Sequence, residues 1–452
     1  MQLIISVSGA RGIVGPGINP AAAARLATAF TRFVDKGLVV VGRDTRASGP
    51  LLADALFSTL RFNGIAVIDL GVSSTPTVEL MVQELGADGG IVITASHNGP
   101  EWNALKFIGR DGEFLPAEAM KEIERIFHNE GPQMEVPGEF GGIARNEEAD
   151  AVHIRKILEL DCVDRELIAS RGYRAAVDCV NGAGSRIIPA LLHDLGVTVE
   201  ELYTDIDAPF PHNPEPRPEH LWELSKAVSD LDADIGFACD QDADRLVLVD
   251  EQGVVCSEEL TLALAADFVL EKAKGPVVAN LSTSRLVDDV AGRRKVPVYR
   301  SKVGETNVVA VMREKGAVVG GEGNGGVIYP PLHYGRDAMV GIALILQSLA
   351  ESGMSLGEKV GMLPTYHIRK EKLPFKGNFE CVTKELQSAF KGRVNTLDGM
   401  RIDMEEGWIH VRRSNTEPVV RIIAETGSED ATRTIVARAG EILRSCNEAT
   451  SG

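Results

Sequence analysis

The chain has 452 residues, 44% of them hydrophobic and 25% charged, a globular balance in a length too great for one core. Its net charge of −18 argues against non-specific nucleic-acid binding and against docking on anionic membranes, both of which need clustered Lys and Arg. A small anionic substrate stays open, because local basic residues override the global sign.

The N-terminal stretch MQLIISVSGARGIVG has no basic leader ahead of an apolar core, and no run approaches the ~20 apolar residues of a membrane span, so a cytoplasmic protein is expected. Within it, SGARGIVG sets Arg11 in a glycine-lined turn that can aim a guanidinium at an anion. The six cysteines, Cys162, Cys179, Cys239, Cys256, Cys381 and Cys446, are scattered without a CxxC pair, which predicts buried free thiols in a reducing compartment.

From Val39, VVVGRDTRASGPLLADALFSTLRFNGIAVIDLG reads as a strand, a polar turn, a helix with apolar positions at 3.6 spacing, and a second strand. AAVDCVNGAGSRIIPALLHDLGVTVEELY from Ala175 and PVVANLSTSRLVDDVAGRRKVPVYRS from Pro276 repeat that cadence. The βαβ pattern predicts parallel strands covered by helices. A further strand follows each segment and ends in a polar loop: TASHNGP after GADGGIVI, CDQDADR after DADIGFA, and GEGNGGV after KGAVVG. Ligands bind beyond the carboxyl ends of parallel strands, so the three loops are candidate components of one site. From about Thr365 the pattern changes to two strands flanking the turn RRSNTEPVVR, then an amphipathic helix. The predicted fold class is α/β, with three similar mixed-sheet α/β domains at 1–145, 146–252 and 253–364. A smaller C-terminal α+β domain follows at 365–452.

Each loop has a chemistry of its own. Asp240, Asp242 and Asp244 alternate between two apolar strands, and in an extended turn their carboxylates converge. Three hard oxygen ligands suit Mg²⁺ or Ca²⁺ better than Zn²⁺. An EF-hand is disfavoured because Arg245 stands where its mid-loop glycine belongs, and a solvated acidic turn is disfavoured because buried carboxylates repel without a cation. In RRSNTEPVVR, Arg412, Ser414, Asn415, Thr416 and Arg421 offer hydroxyls, amides and guanidinium groups to a phosphate; a solvated basic hairpin is the alternative. GGEGNGGVIYP presents Glu322 and Asn324 from a glycine-rich turn, a pairing suited to sugar hydroxyls. HYGRDA, with His333, Arg336 and Asp337, reads as a helix start stabilised by an ion pair. In TASHNGPEWNALK, Ser96 lacks a G-x-S-x-G elbow, so a hydrolase nucleophile is not indicated, and an N-cap or loop hydroxyl is the plain alternative.

Together these loops resemble the α-D-phosphohexomutase family across essentially the whole chain. TASHNGPEWNALK resembles its phosphoserine loop, CDQDADR its magnesium loop, GEGNGG its sugar-recognition loop and RRSNTEPVVR its phosphate-binding loop, in family order. The resemblance implies four domains around a central cleft and a phosphorylated Ser96. It implies one Mg²⁺ held by that phosphoserine with Asp240, Asp242 and Asp244. Lys106 and Arg11 match residues assisting phosphoryl transfer, with His97 and Asn98 in the same motif. Arg245, Lys302, Glu322, Asn324 and the RRSNTEPVVR residues match substrate holders. The implied activity interconverts glucosamine 6- and 1-phosphates through a hexose 1,6-bisphosphate that also serves as activator, in a monomer or homodimer acting on a small phosphosugar. Departures from other branches, Asn324 and Gly326 in the sugar loop and Glu305 in SKVGETNV, leave mannose or glucose specificity as an alternative. A phosphoserine-intermediate phosphatase and a non-catalytic sugar-phosphate sensor are the remaining alternatives. The last domain is expected to close as a lid that excludes water.

Overall fold

The structure, a computed structural model, describes residues 3–34, 37–129, 138–414 and 419–448. Three α/β units are followed by an antiparallel one, and each contains its own sheet. In the first, Leu38–Arg43, Ala66–Val72 and Gly89–Ile93 run parallel at the sheet centre. Leu38–Arg43 and Gly89–Ile93 are apolar runs, buried because helices cover both faces. The helix Gly49–Phe62 turns Leu52, Ala53, Leu56 and Leu60 onto the sheet, as its 3.6-residue apolar spacing requires. Beside Gly89–Ile93, the strand Trp102–Gly109 returns antiparallel, with Ile93 opposite Leu105, and Gly9–Ile13 pairs beyond it with Arg11 opposite Ala104. Thus Ser96, Lys106 and Arg11 all belong to adjacent strands or the loop that joins them.

The second and third units repeat this plan in four strands each. Arg174–Asp178, Thr198–Leu202 and Ile235–Cys239 are parallel, and Leu246–Val249 returns against Ile235–Cys239. Val277–Asn280, Val298–Ser301 and Val319–Glu322 are parallel, and Gly326–Ile328 returns against Val319–Glu322. Each polar loop is therefore a connection from the carboxyl end of a parallel strand into the antiparallel strand beside it. The two units share a core, in which Ile187 and Leu191 of one join Leu262, Ile342 and Leu346 of the other. The helix Ala338–Ser352 is apolar almost all round and is correspondingly buried along nearly its whole length.

The last unit is a five-stranded antiparallel sheet built around Gly407–Arg413 and Val419–Thr426, with the helices Phe379–Ala389 and Glu429–Glu448. The expectation of six free thiols is corrected here: Cys381 and Cys446 form a disulfide that joins those two helices. The two residues are 65 positions apart, so no local spacing announces the bond; helix packing brings them together. Cys162, Cys179, Cys239 and Cys256 are free, and all but Cys162 are buried. Among the described residues no helix is long and apolar enough to cross a membrane.

Candidate active site

The loops of all four units meet at one cleft of about 610 Å³. Ser96, His97, Asn98, Lys106 and Arg11 line it from the first unit, Arg245 from the second, Glu322 and Asn324 from the third, and Arg412, Ser414 and Arg421 from the fourth. Asn415 and Thr416 lie outside the described residues. Lys302 is exposed just beyond the strand Val298–Ser301 and is not part of the cleft wall; its neighbours Val303, Gly304 and Glu305 are. On a chain of net charge −18, the cleft concentrates Arg11, Arg217, Arg245, Lys372, Arg412 and Arg421, a local field suited to an anionic ligand.

At the floor, Ser96 Oγ donates to Asp240 Oδ2 at 2.7 Å, although the two are 144 residues apart. The loop backbone is wound to make this contact: Ser96 has φ +51°, and its N–H donates to Thr94 Oγ1. Asp240, Asp242 and Asp244 are buried, and one carboxylate oxygen of each lies within 4.8 Å of the others'. Burial and the two neighbouring aspartates push the Asp240 carboxyl well above its ordinary value. Burial alone would raise Asp242 as well, but Lys106 Nζ at 2.5 Å and the Thr75 hydroxyl at 2.6 Å hold it well below the usual carboxylate range. Reciprocally, Asp242 and Asp244 outweigh the burial of Lys106 and keep its ammonium charged. Asp242 Oδ1 and Asp244 Oδ1 are buried without a hydrogen-bond partner. Such orphaned carboxylate oxygens, in a triad of hard ligands, fit a divalent cation of the Mg²⁺ class.

His97 Nδ1 stands 3.3 Å from Ser96 Oγ, and Arg11 Nη1 donates to Asn98 Oδ1 at 2.6 Å. Burial, with Arg245 and Arg11 nearby, drives the His97 imidazole well below its ordinary value, so it is neutral at pH 7.

Asp337 does cap the helix Ala338–Ser352, accepting from Met339 N and Val340 N, as HYGRDA suggests. Arg336 has a different part. Its guanidinium donates to Asp244 Oδ2 at 2.6 Å, Glu305 Oε2 at 2.8 Å and Glu322 Oε2 at 3.0 Å, tying the aspartate loop to the sugar-loop carboxylate. HYGRDA itself gives no sign of this, because the carboxylates that a buried arginine needs come from other loops of the chain. Glu322 also accepts from Asn280 Nδ2 and Gly304 N, so its carboxylate is held from three sides at the cleft wall. Among the described residues a second buried cluster of metal-ligand type, His153, His333 and Asp337, is internally hydrogen-bonded. Asp337 Oδ2 lies 2.9 Å from His153 Nε2 and 3.2 Å from His333 Nε2, and His153 Nδ1 meets Thr77 Oγ1, which links the first three units.

A loop of the second unit, missed by the motif reading, brings Glu215 and Arg217 into the cleft. His212 anchors it through Asp178 Oδ2 at 2.9 Å. Burial alone would lower His212, but the hydrogen bond and charge of Asp178 raise it above its ordinary value. A histidine whose folded value is raised contributes stability that is fully present below its unfolded value of 6.5 and lost as pH rises through the folded one. The expected result is that His212→Gln lowers the melting temperature most near pH 6, with the difference from the parent shrinking toward pH 9. A pH-independent difference in paired thermal melts would contradict this.

Comparison with known proteins agrees with the geometry. Models of the phosphoglucomutase/phosphomannomutase alpha/beta/alpha domains I, II and III match residues 3–134, 151–253 and 257–366, and the model of the C-terminal domain matches 377–441. A protein of Methanopyrus kandleri described as "Probable phosphoglucosamine mutase" is 37% identical over 99% of both chains. The chain belongs to the phosphoglucomutase/phosphomannomutase family. Another member, the phosphoglucomutase/phosphomannomutase of Thermococcus kodakarensis, is 39% identical over 96% of both chains, and the phosphoglucosamine/phosphogalactosamine mutase of Sulfurisphaera tokodaii is 32% identical over 96% of this chain and 98% of its own. A crystal structure of a phosphoglucomutase/phosphomannomutase family protein from Burkholderia thailandensis superposes with a TM-score of 0.84 at 29% identity, covering 99% of this chain and 97% of that one. The chain is thus a phosphohexomutase, one of a family of enzymes of sugar-phosphate metabolism.

Proposed function

We propose that this phosphohexomutase interconverts glucosamine 6-phosphate and glucosamine 1-phosphate through a phosphoserine at Ser96. The observation that carries the reading is the Ser96 hydroxyl 2.7 Å from Asp240, beside two aspartate oxygens with no hydrogen-bond partner, on the floor of an arginine-lined cleft. Asp240, Asp242 and Asp244 would hold Mg²⁺ with the phosphoserine. The ion would supply charge neutralisation for the phosphoryl group in transit.

The residues divide the remaining work. A hydroxyl oxygen of the hexose phosphate attacks the phosphoserine phosphorus, the bond from phosphorus to Ser96 Oγ breaks, and a hexose 1,6-bisphosphate results. Turned over in the cleft, that intermediate returns its other phosphoryl group to Ser96. Lys106, kept as an ammonium by Asp242 and Asp244, holds its proton tightly and offsets charge beside the reacting oxygens. The hydroxyl proton of the attacking sugar ends on the departing Ser96 Oγ, beside which the His97 imidazole is neutral and adds no charge. Arg11 and Arg245 offset the charge that Ser96 gains on phosphorylation, about −2 at neutral pH. Arg412, Ser414 and Arg421, with Asn415 and Thr416 of the same motif, hold the phosphate that is not reacting. Glu322, oriented by Arg336, faces the sugar and suits a protonated 2-amino group.

Amino-sugar specificity is supported by the relatives named for phosphoglucosamine. Glucose or mannose specificity is the second reading, favoured by the Thermococcus relative at 39% identity. The deciding measurement is kcat/KM for glucosamine, N-acetylglucosamine, galactosamine, glucose and mannose 6-phosphates, with Mg²⁺ and a hexose 1,6-bisphosphate. Glucosamine 6-phosphate is expected to rank first. Faster glucose or mannose turnover would transfer the assignment to the second reading.

A further inference from the structure

The turn Asp44-Thr45-Arg46, directly after the strand Leu38–Arg43, lies beneath the serine loop and has no part in the four family motifs. The Arg46 side chain is fully buried. Its Nη2 donates to Ser96 O at 2.6 Å and Asn98 O at 2.8 Å, and its Nη1 donates to Gly99 O at 2.9 Å. Asp44 balances the charge, with Oδ2 3.0 Å from Arg46 Nε and Oδ1 accepting from Arg46 N. The guanidinium also faces the ring of Phe210, from the second unit, at 5.0 Å. Ser96 is a non-glycine residue at φ +51°, a conformation that persists only where the surroundings hold it. Three carbonyls gripped by one planar fork are such a hold.

The middle residue of the same turn reaches the other half of the site. Thr45 Oγ1 donates to Asn181 O at 2.6 Å and accepts from Gln241 Nε2 at 2.6 Å. Gln241 stands between Asp240 and Asp242. One three-residue turn therefore touches both the loop that carries the serine and the loop that carries the carboxylates.

We propose that Arg46 is a positioning residue for phosphoryl transfer: it fixes the Ser96 loop in its left-handed backbone, while Thr45 ties the same turn to the aspartate loop and keeps the two in register. The inference rests on the reading of Ser96 as the phosphoryl carrier. Phosphoryl transfer depends on placement, and a misplacement of about 1 Å costs on the order of 100-fold in rate. Lysine cannot replace the fork, because an ammonium is a point donor without the planar spread to meet three carbonyls.

The experiment compares Arg46→Lys and Thr45→Val with the parent full-length protein in Mg²⁺ and hexose 1,6-bisphosphate. In Arg46→Lys, kcat is expected to fall roughly 10- to 100-fold while KM holds, because the groups that bind the non-reacting phosphate are untouched. Phosphate released to water per isomer formed should rise, since a loosened phosphoserine is more open to hydrolysis. Hydrogen exchange should quicken at residues 95–99 and stay unchanged elsewhere. Thr45→Val should lower kcat without quickening exchange at 95–99. Unchanged kcat in Arg46→Lys, or a kcat loss matched by faster exchange throughout the first unit, would overturn the proposal in favour of a merely structural arginine. Ser96→Ala separates the two ideas: if that variant stays active, the phosphoserine reading fails, whereas the exchange at 95–99 still reports the grip of Arg46.

Discussion

Ser96→Ala is expected to lower isomerisation by about 10⁴-fold or more, the scale on which enzymes lose kcat when a covalent nucleophile is deleted. The fold should survive. The substitution removes two hydrogen bonds, from Ser96 Oγ to Asp240 Oδ2 and between Ser96 Oγ and His97 Nδ1, each worth roughly 1 kcal/mol, and Asp240 Oδ1 keeps its contacts with the N–H groups of Asp244 and Arg245. Two measurements check this together: isomer formation in the presence of hexose 1,6-bisphosphate, and intact mass after incubation with it. The parent should gain the mass of one phosphoryl group and the variant none. Retained turnover, or a phosphoryl group found on another side chain, would remove Ser96 from the mechanism.

Why Ser96 and the aspartates are legible in sequence, and others are not, follows from where their partners lie. In each of the first three units a parallel strand runs into an antiparallel one through a single short loop, so Ser96, the aspartate triad and the Glu322 turn carry their chemistry in contiguous, unusual composition. The βαβ cadence likewise lives within some thirty residues and shows the parallel strand pairs of the first three units from local periodicity. Arg336 reaches Asp244 across 92 positions and Glu305 across 31, and Arg46 reaches Ser96 across 50. Neither arginine stands in a local composition that reveals such a contact. The Cys381–Cys446 bond is hidden for the same reason, since its two cysteines are 65 positions apart on separate helices. In HYGRDA the local half of the reading, Asp337 as a helix cap, holds, and the distant half, Arg336 bound to three carboxylates, is beyond sequence spacing. What the sequence conceals is thus the support behind the loops rather than the loops.

Arg336→Met tests that support. The guanidinium is the cation at the centre of Asp244, Glu305 and Glu322, all four residues buried. Burial alone would weaken its charge, but the three carboxylates hold it charged. Removing one side of a buried ionic cluster leaves its partners desolvated and mutually repelling, which costs about 3–5 kcal/mol. The chemical-denaturation midpoint of Arg336→Met should fall accordingly, and activity with it, because Asp244 and Glu322 lose their common anchor. The pH dependence has a definite sign. Burial pushes the Glu305 carboxyl up to about 7 from an ordinary 4.5 even with Arg336 beside it. A carboxyl raised on folding contributes stability that is fully present below its unfolded value and lost as pH rises through the folded one. Without the guanidinium that value rises further, so the deficit of Arg336→Met should be larger at pH 8 than at pH 5. Adding Glu305→Gln to Arg336→Met removes one of the stranded charges and should recover part of the midpoint at pH 8 and little at pH 5. A deficit that is flat with pH, or a double variant no more stable than the single one at pH 8, would mean that the arginine acts by packing alone.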